Sequence, residues 1–323
     1  MKKLLSLILA LAMAASVAGC AAQPASGSAS APASAPSSAV SAPAAEKPTT
    51  DPSGAAVEIP DEIGSVVVLA PSIAETLTAL GCGDLIVGYD LQSVGLAGLP
   101  ADVPTFDLMQ PDMEQLAALK PDVLFVSNMT LYDQSNPYQQ LMDMGVCVLC
   151  VPNADSIAAI QEDIAFIAAA MGKTAEGDAL IAEMQAELDR IAAIGATVTD
   201  KKSVYFEISA APDLYSFGSG VFLNEMIELI GAENILADQE GWLAVDAETV
   251  VAANPDVILT NVNYIEDPVA EILGRSGWEG VNAVKNAQVF YIDNMASSLS
   301  NQNIVKALDQ MAQAVYPDLY AAQ

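Results

Sequence analysis

Continuous apolar runs rich in branched residues, at 65–70, 85–89, 122–127 and 145–151, predict buried strands. Between them, segments with helical character fall at 72–80, 113–119, 134–144 and 156–171. A second set follows, with strands at 203–209, 256–261 and 288–292 and helices at 222–230, 247–253, 269–273 and 301–315. Alternation of this kind predicts an α/β fold with mainly parallel sheets covered by helices. The two sets are separated by TAEGDALIAEMQAELDRIAAIG (174–195), where Leu180, Ile181, Met184, Leu188 and Ile191 form one helical stripe. At 1.5 Å per residue such a helix spans roughly 33 Å, about the diameter of a small domain.

The two halves repeat each other. MEQLAALKPDVLFVSN (113–128) and AETVVAANPDVILTNV (247–262) match at Glu114 and Glu248, Ala118 and Ala252, Pro121 and Pro255, Asp122 and Asp256, and Val123 and Val257. A second echo aligns Glu75 with Glu225 and Gly81 with Gly231. Each copy of the longer repeat reads as a helix, a Pro-Asp turn and a buried strand. Two related lobes joined by one long helix account for both.

The N-terminus belongs to neither lobe. Residues 1–20 place Lys2 and Lys3 before an apolar run too short to span a bilayer, which suits a signal peptide. Its end, Val17-Ala18-Gly19-Cys20, resembles the lipobox of bacterial lipoproteins, in which the cysteine carries the lipid. From 21 to 58 the chain is mostly Ala, Ser, Pro, Gly and Thr and reads as a disordered tether, reaching on the order of 30 to 40 Å. The expected organisation is therefore signal peptide 1–20, tether 21–58, N-terminal lobe 59–171, linking helix 172–196 and C-terminal lobe 197–323. Such a protein sits outside the cytoplasm, anchored to the cell membrane through Cys20. That is the outer face in a Gram-positive cell and the periplasm otherwise.

Composition narrows the chemistry. The chain has 11 Lys and Arg against 41 Asp and Glu, a formal charge of −30, and no histidine. Nucleic acid is thereby disfavoured as a partner, and the commonest zinc ligand and general base are missing. Cys147 and Cys150 lie in the apolar run GVCVLCV, and three positions apart on a strand they point to opposite faces. Together with Cys82 they are expected to be inert core thiols. With no nucleophile elbow, phosphate loop or metal-ligand spacing, the sequence predicts no catalytic residues, resident cofactor or metal site.

Five stretches, VVLAPSIAETLTALGCGDLIVGYD, MEQLAALKPDVLFVS, LYSFGSGVFLNEMIELIGAENILAD, VDAETVVAANPDVIL and GWEGVNAVKNAQVFYID, carry a resemblance that extends over nearly all of 65–317. In this order and spacing they resemble the substrate-binding proteins of bacterial ABC importers for ferric siderophores, haem and cobalamin. The resemblance implies a class III binding-protein fold, no enzymatic activity, a cleft between the lobes, and a permease dimer with its ATPase as partner. It also implies that Glu114 and Glu248, one per lobe, dock on arginines of the permease.

In α/β lobes ligands sit outside the carboxyl ends of the strands. The loops there carry Tyr89, Phe106, Asn128, Met129, Glu207, Tyr215, Phe217, Trp242, Asn263, Tyr264 and Met295, the candidate ligand contacts, along with Asp90, Asp107, Asn261 and Asn294. Aromatic, Met and amide side chains without Lys or Arg suit a bulky, neutral or cationic metal chelate, either a hydroxamate ferric siderophore or a corrinoid. Haem, which Tyr and Met can ligate, is an alternative. Asp90, Asp107 or Glu207 would meet a cationic group or cap a helix. A surface adhesin or scaffold would also need an anchor and a stalk. An enzyme would have to use Asp and Glu as acid and base.

Overall fold

The computed structural model describes residues 46–130 and 136–321. The leader, Cys20 and most of the expected tether lie outside the described residues. The strands are β1 (Val66–Leu69), β2 (Ile86–Asp90), β3 (Thr105–Phe106), β4 (Val123–Val126), β5 (Cys147–Cys150), β6 (Ser203–Glu207), β7 (Tyr215–Phe217), β8 (Glu233–Asn234), β9 (Trp242–Ala244), β10 (Val257–Thr260) and β11 (Val289–Tyr291). One parallel sheet has the order β3-β2-β1-β4-β5 and a second the order β11-β10-β6-β8. Pairing β1 with β6, β2 with β8, β4 with β10 and β5 with β11 gives the same order in both, as the repeat predicts. The short antiparallel pair β7-β9 has no counterpart among the described residues of the first lobe.

Both faces of each sheet are covered, which explains the unbroken apolar runs. In β1, Val66 and Val68 pack on one side while Val67 and Leu69 pack on the other. In β6, Val204 and Phe206 face one cluster and Tyr205 the opposite one. Cys147 and Cys150 divide in the same way, buried and free, with burial pushing each thiol up to about 11.

The repeated Pro-Asp turn has a structural role. The helices Met113–Leu119 and Ala247–Ala253 end in left-handed residues at equivalent positions, Lys120 (φ 47°) and Asn254 (φ 50°). The chain then turns through Pro-Asp into β4 or β10. There the Asp122 carboxylate accepts hydrogen bonds from the Gly64 and Ser65 amides at 2.8 and 2.9 Å, while Asp256 accepts from the Ser203 amide and hydroxyl at 3.0 and 2.9 Å. Each aspartate thus ties the start of its own strand to the start of the central one. The Gly64 amide, chief among these donors, holds the Asp122 carboxyl below its ordinary value.

Between the lobes runs Thr174–Gly195, with Met184, Leu188 and Ile191 buried. A glycine near each end allows close approach. A Cβ on Gly177 would lie 2.4 Å from that of Ala168 in the helix Ile157–Ala170. A Cβ on Gly195 would lie 2.1 Å from the Leu229 carbonyl, at the end of the helix Phe222–Leu229.

The folded body begins before the point that composition indicates. Residues 47–58, assigned above to the tether, return to β5. The Asp51 carboxylate, 5% exposed, accepts from the Cys150 amide at 3.0 Å and from Ser53 and Ala55. This satisfies an amide on an edge strand that would otherwise be open to pairing. The signal for it, a single Asp in a low-complexity run, was too local to be read without its partner.

Candidate functional site

The strands of both sheets end on a common cleft of about 510 Å³. From the N-terminal lobe it is lined by Ala70, Pro71 and Ser72 after β1, Gln92 after β2, Leu108 after β3, Ser127 and Met129 after β4, and Asn153, Ala154 and Asp155 after β5. From the C-terminal lobe come Phe222, Trp242 of β9, Asn263 after β10, and Asn294, Met295 and residues 298–300 after β11. Strand ends collect the loops of both lobes in one place because every strand of each main sheet runs the same way.

Of the candidate ligand contacts, Met129, Trp242, Asn263 and Met295 line this cleft. Trp242 is 42% exposed, and its ring meets the fully buried Phe217 edge-on, with centroids 5.8 Å apart. Phe217 therefore supports the exposed indole from behind instead of reaching the cleft. Asn294 lines the cleft and donates to the Asn261 carbonyl at 2.7 Å, and the Asn261 amide is turned inward to Ser297 and Ser298.

The remaining candidates lie elsewhere. Tyr89 and Phe106 are core residues of the N-terminal lobe, since side chains near a strand end still stand perpendicular to the sheet and enter the helix layers. Glu207 is 1% exposed and accepts both arms of the Arg275 guanidinium at 2.7 and 2.8 Å. Burial pushes the Glu207 carboxyl up, against the pull of Arg275. Glu271 is a further partner of Arg275, which lies 4.3 Å above the Trp278 ring. Tyr264 is exposed, but its hydroxyl is held by the Ala210 amide at 2.8 Å and Ser209 at 3.2 Å. Tyr215 is exposed on β7 outside the cleft lining, and Asn128 accepts from the Asn153 amide at 3.4 Å. The cleft also takes in 70–72, Gln92, Leu108, Ser127, 153–155, Phe222 and 298–300, which the sequence does not single out, although the strand-end rule applied to β1, β2, β3, β4, β5 and β11 points to all but Phe222.

Two carboxylates that the repeat aligns cross from lobe to lobe behind the cleft. Glu75 accepts from the Asn301 side chain at 2.7 Å, and Glu225 accepts from the Ile157 amide at 2.9 Å. Among the described residues no Lys or Arg lines the cleft, and Asp155 is the one charged side chain in its lining. A larger cavity of about 660 Å³ lies along the linking helix, away from the strand ends, beside Leu188, Ala192 and Leu229.

The model of the periplasmic binding protein family matches residues 66–296. An ABC transporter substrate-binding lipoprotein of Bacillus subtilis, YvrC, is 32% identical over 84% of this chain and 85% of its own length. A cobalamin-binding protein of Halobacterium salinarum is 29% identical over 84% of this chain and 75% of its own. Among solved structures, molybdate-bound MolA of Haemophilus influenzae has a TM-score of 0.71 at 26% identity, over 84% of this chain and 91% of that one. The paired sheets, the linking helix and the cleft at the strand ends have their counterpart in these similarities, and the chain belongs to the periplasmic binding protein family, whose members bind solutes and are not enzymes.

Proposed function

We propose that the protein is the lipid-anchored, extracytoplasmic binding component of an ABC importer, held through Cys20, that captures a hydroxamate ferric siderophore or a corrinoid between its lobes. The observation that carries this reading is the cleft itself. Its 510 Å³ are lined by Trp242, Met129, Met295 and side-chain amides, with no basic residue among the described residues. Indole and thioether surfaces suit a bulky, partly apolar ligand, while a polyanionic chelate would lack its usual Arg or Lys partners. Arg275, the cation beside the end of β6, is already committed to Glu207 and Glu271. Similarity to a cobalamin-binding protein supports the corrinoid branch.

A second reading, an oxyanion, has one observation in its favour besides the likeness to MolA. The helices Pro71–Ala79 and Phe222–Leu229 begin at the cleft without a side-chain cap, and helix N-termini attract anions. The volume of the cleft and the carboxylate of Asp155 in its described lining favour the chelate.

The test is a thermal-shift screen of the purified protein with cyanocobalamin, ferrichrome, haem and sodium molybdate. Binding at a hundredfold excess over Kd stabilises by about 2.7 kcal/mol, and the expected result is stabilisation by cyanocobalamin or ferrichrome. With that ligand, Trp242→Ala should lose about 1 to 3 kcal/mol of affinity through lost apolar burial. Stabilisation by molybdate alone would overturn the chelate reading.

A further inference from the structure

Among the described residues, Asp90, Asp107, Glu207, Asp293 and Asp155 stand near the strand ends as possible partners for a cationic ligand, and all but the last have other partners, Asp293 accepting from the Ala296 amide at 2.8 Å. Asp90 is buried and accepts from the Gln92 and Ser93 amides at 2.8 and 3.1 Å and from the Ser93 hydroxyl at 2.6 Å. Asp107 accepts from the Met109 and Gln110 amides at 2.8 and 3.1 Å. Glu207 is paired with Arg275. Asp155 remains: it is exposed, lines the cleft, and has no hydrogen-bond or ion-pair partner among the described residues.

Its neighbours leave Asp155 no obvious structural task. It precedes Ser156, the N-cap of the helix Ile157–Ala170. That helix end is already served, since the Ser156 hydroxyl accepts from the Ala159 amide at 3.1 Å and Glu225 from the Ile157 amide at 2.9 Å. Around Asp155 the cleft offers the amides of Gln92, Asn153, Asn263 and Asn294, none of which carries a charge.

We infer that Asp155 is the charge-selecting residue of the cleft, and that the preferred ligand carries a positive charge, an ammonium group or a cationic metal centre, which this carboxylate meets. The inference rests on the metal-chelate reading and narrows it: among chelates of one shape, the cationic member is favoured and the neutral one is bound less well. A carboxylate facing a ligand cation in a partly desolvated cleft gains more than an exposed ion pair, and the gain fades as salt screens it.

The experiment compares two pairs of probes that differ mainly in charge, ferrioxamine B against its N-acetyl derivative and aquocobalamin against cyanocobalamin. Kd is measured by tryptophan fluorescence on the full chain, as wild type, Asp155→Asn and Asp155→Glu. For whichever pair binds, the expected wild-type preference for the cationic member is about fivefold or more. Asp155→Asn and 1 M salt should each reduce it to within about twofold, while Asp155→Glu keeps most of it. Equal affinity within both pairs for the wild type, or an undiminished preference in Asp155→Asn, would overturn the assignment and leave the chelate reading standing. If none of the four probes binds, the assignment to Asp155 falls, and the chelate reading stands or falls separately with ferrichrome in the thermal-shift screen.

Discussion

Asp163 shows how one side chain can respond to its surroundings. On the helix Ile157–Ala170 it lines a small cavity with Ser72, Thr76 and Ser300, so groups from both lobes surround it. Burial, helped by the neighbouring charge of Glu162, pushes its carboxyl up to about 7. The folded state then holds this proton more tightly than the unfolded chain does. Its contribution to stability is present below the ordinary carboxylate value and is lost as pH rises to about 7. Asp163→Asn cannot ionise, so it should melt above wild type at pH 8, and the difference should shrink towards zero at pH 4. A constant difference between the two proteins at all pH values would show that ionisation of Asp163 is not its source.

At the scale of elements, the linking helix sets the spacing of the lobes, and its glycines set how closely it lies against each. With a Leu229 carbonyl 2.1 Å from where a Cβ would stand, Gly195→Ala forces backbone apart from backbone, with no flexible side chain to yield. Overpacking of this kind costs about 1 to 3 kcal/mol, and the expected result is a melting temperature lower by roughly 2 to 12 °C. An unchanged melting temperature would mean that helix and lobe separate freely at this point. The short strands β7 and β9 are elements of a different sort. They hold no apolar run of their own, yet they fix Trp242 over Phe217 and so build one wall of the cleft.

For the whole molecule, the repeat gives each lobe an equivalent exposed glutamate. Glu114 and Glu248 occupy the first turn of matching helices and make no ion pair among the described residues. The docking role we propose for them needs a permease with two-fold symmetry. A role in the helix alone would need only the favourable meeting of a carboxylate with a helix N-terminus. Glu114→Lys with Glu248→Lys separates these. Exposed single charges contribute little to stability, so ligand affinity and melting should stay close to wild type. Uptake into proteoliposomes with the cognate importer should fall on the order of tenfold or more, as like charges now meet across the interface. Normal uptake by the double variant would return both residues to the helix role.

Sequence alone determined the features that depend on local pattern. Buried strands, helices and the linking helix follow from periods of apolar residues, and the linking helix runs over Thr174–Gly195 as its stripe indicates. The matched Pro-Asp units at 121–122 and 255–256 revealed two lobes, because a repeated fold needs its strand entry tied down in each copy. Tertiary structure decided which residues at the strand ends face the cleft. Periodicity tells which face of its own sheet a residue occupies, but not what stands opposite. Thus Phe106 and Phe217 entered the core, whereas Trp242, Met129 and Met295 entered the cleft. Glu207 found Arg275 68 positions away, and Asp51 found the Cys150 amide 99 positions away. Neither pairing leaves a periodic trace, because each is made only when distant segments pack and the cost of burying an unpaired charge or amide is met by whichever partner the fold brings near.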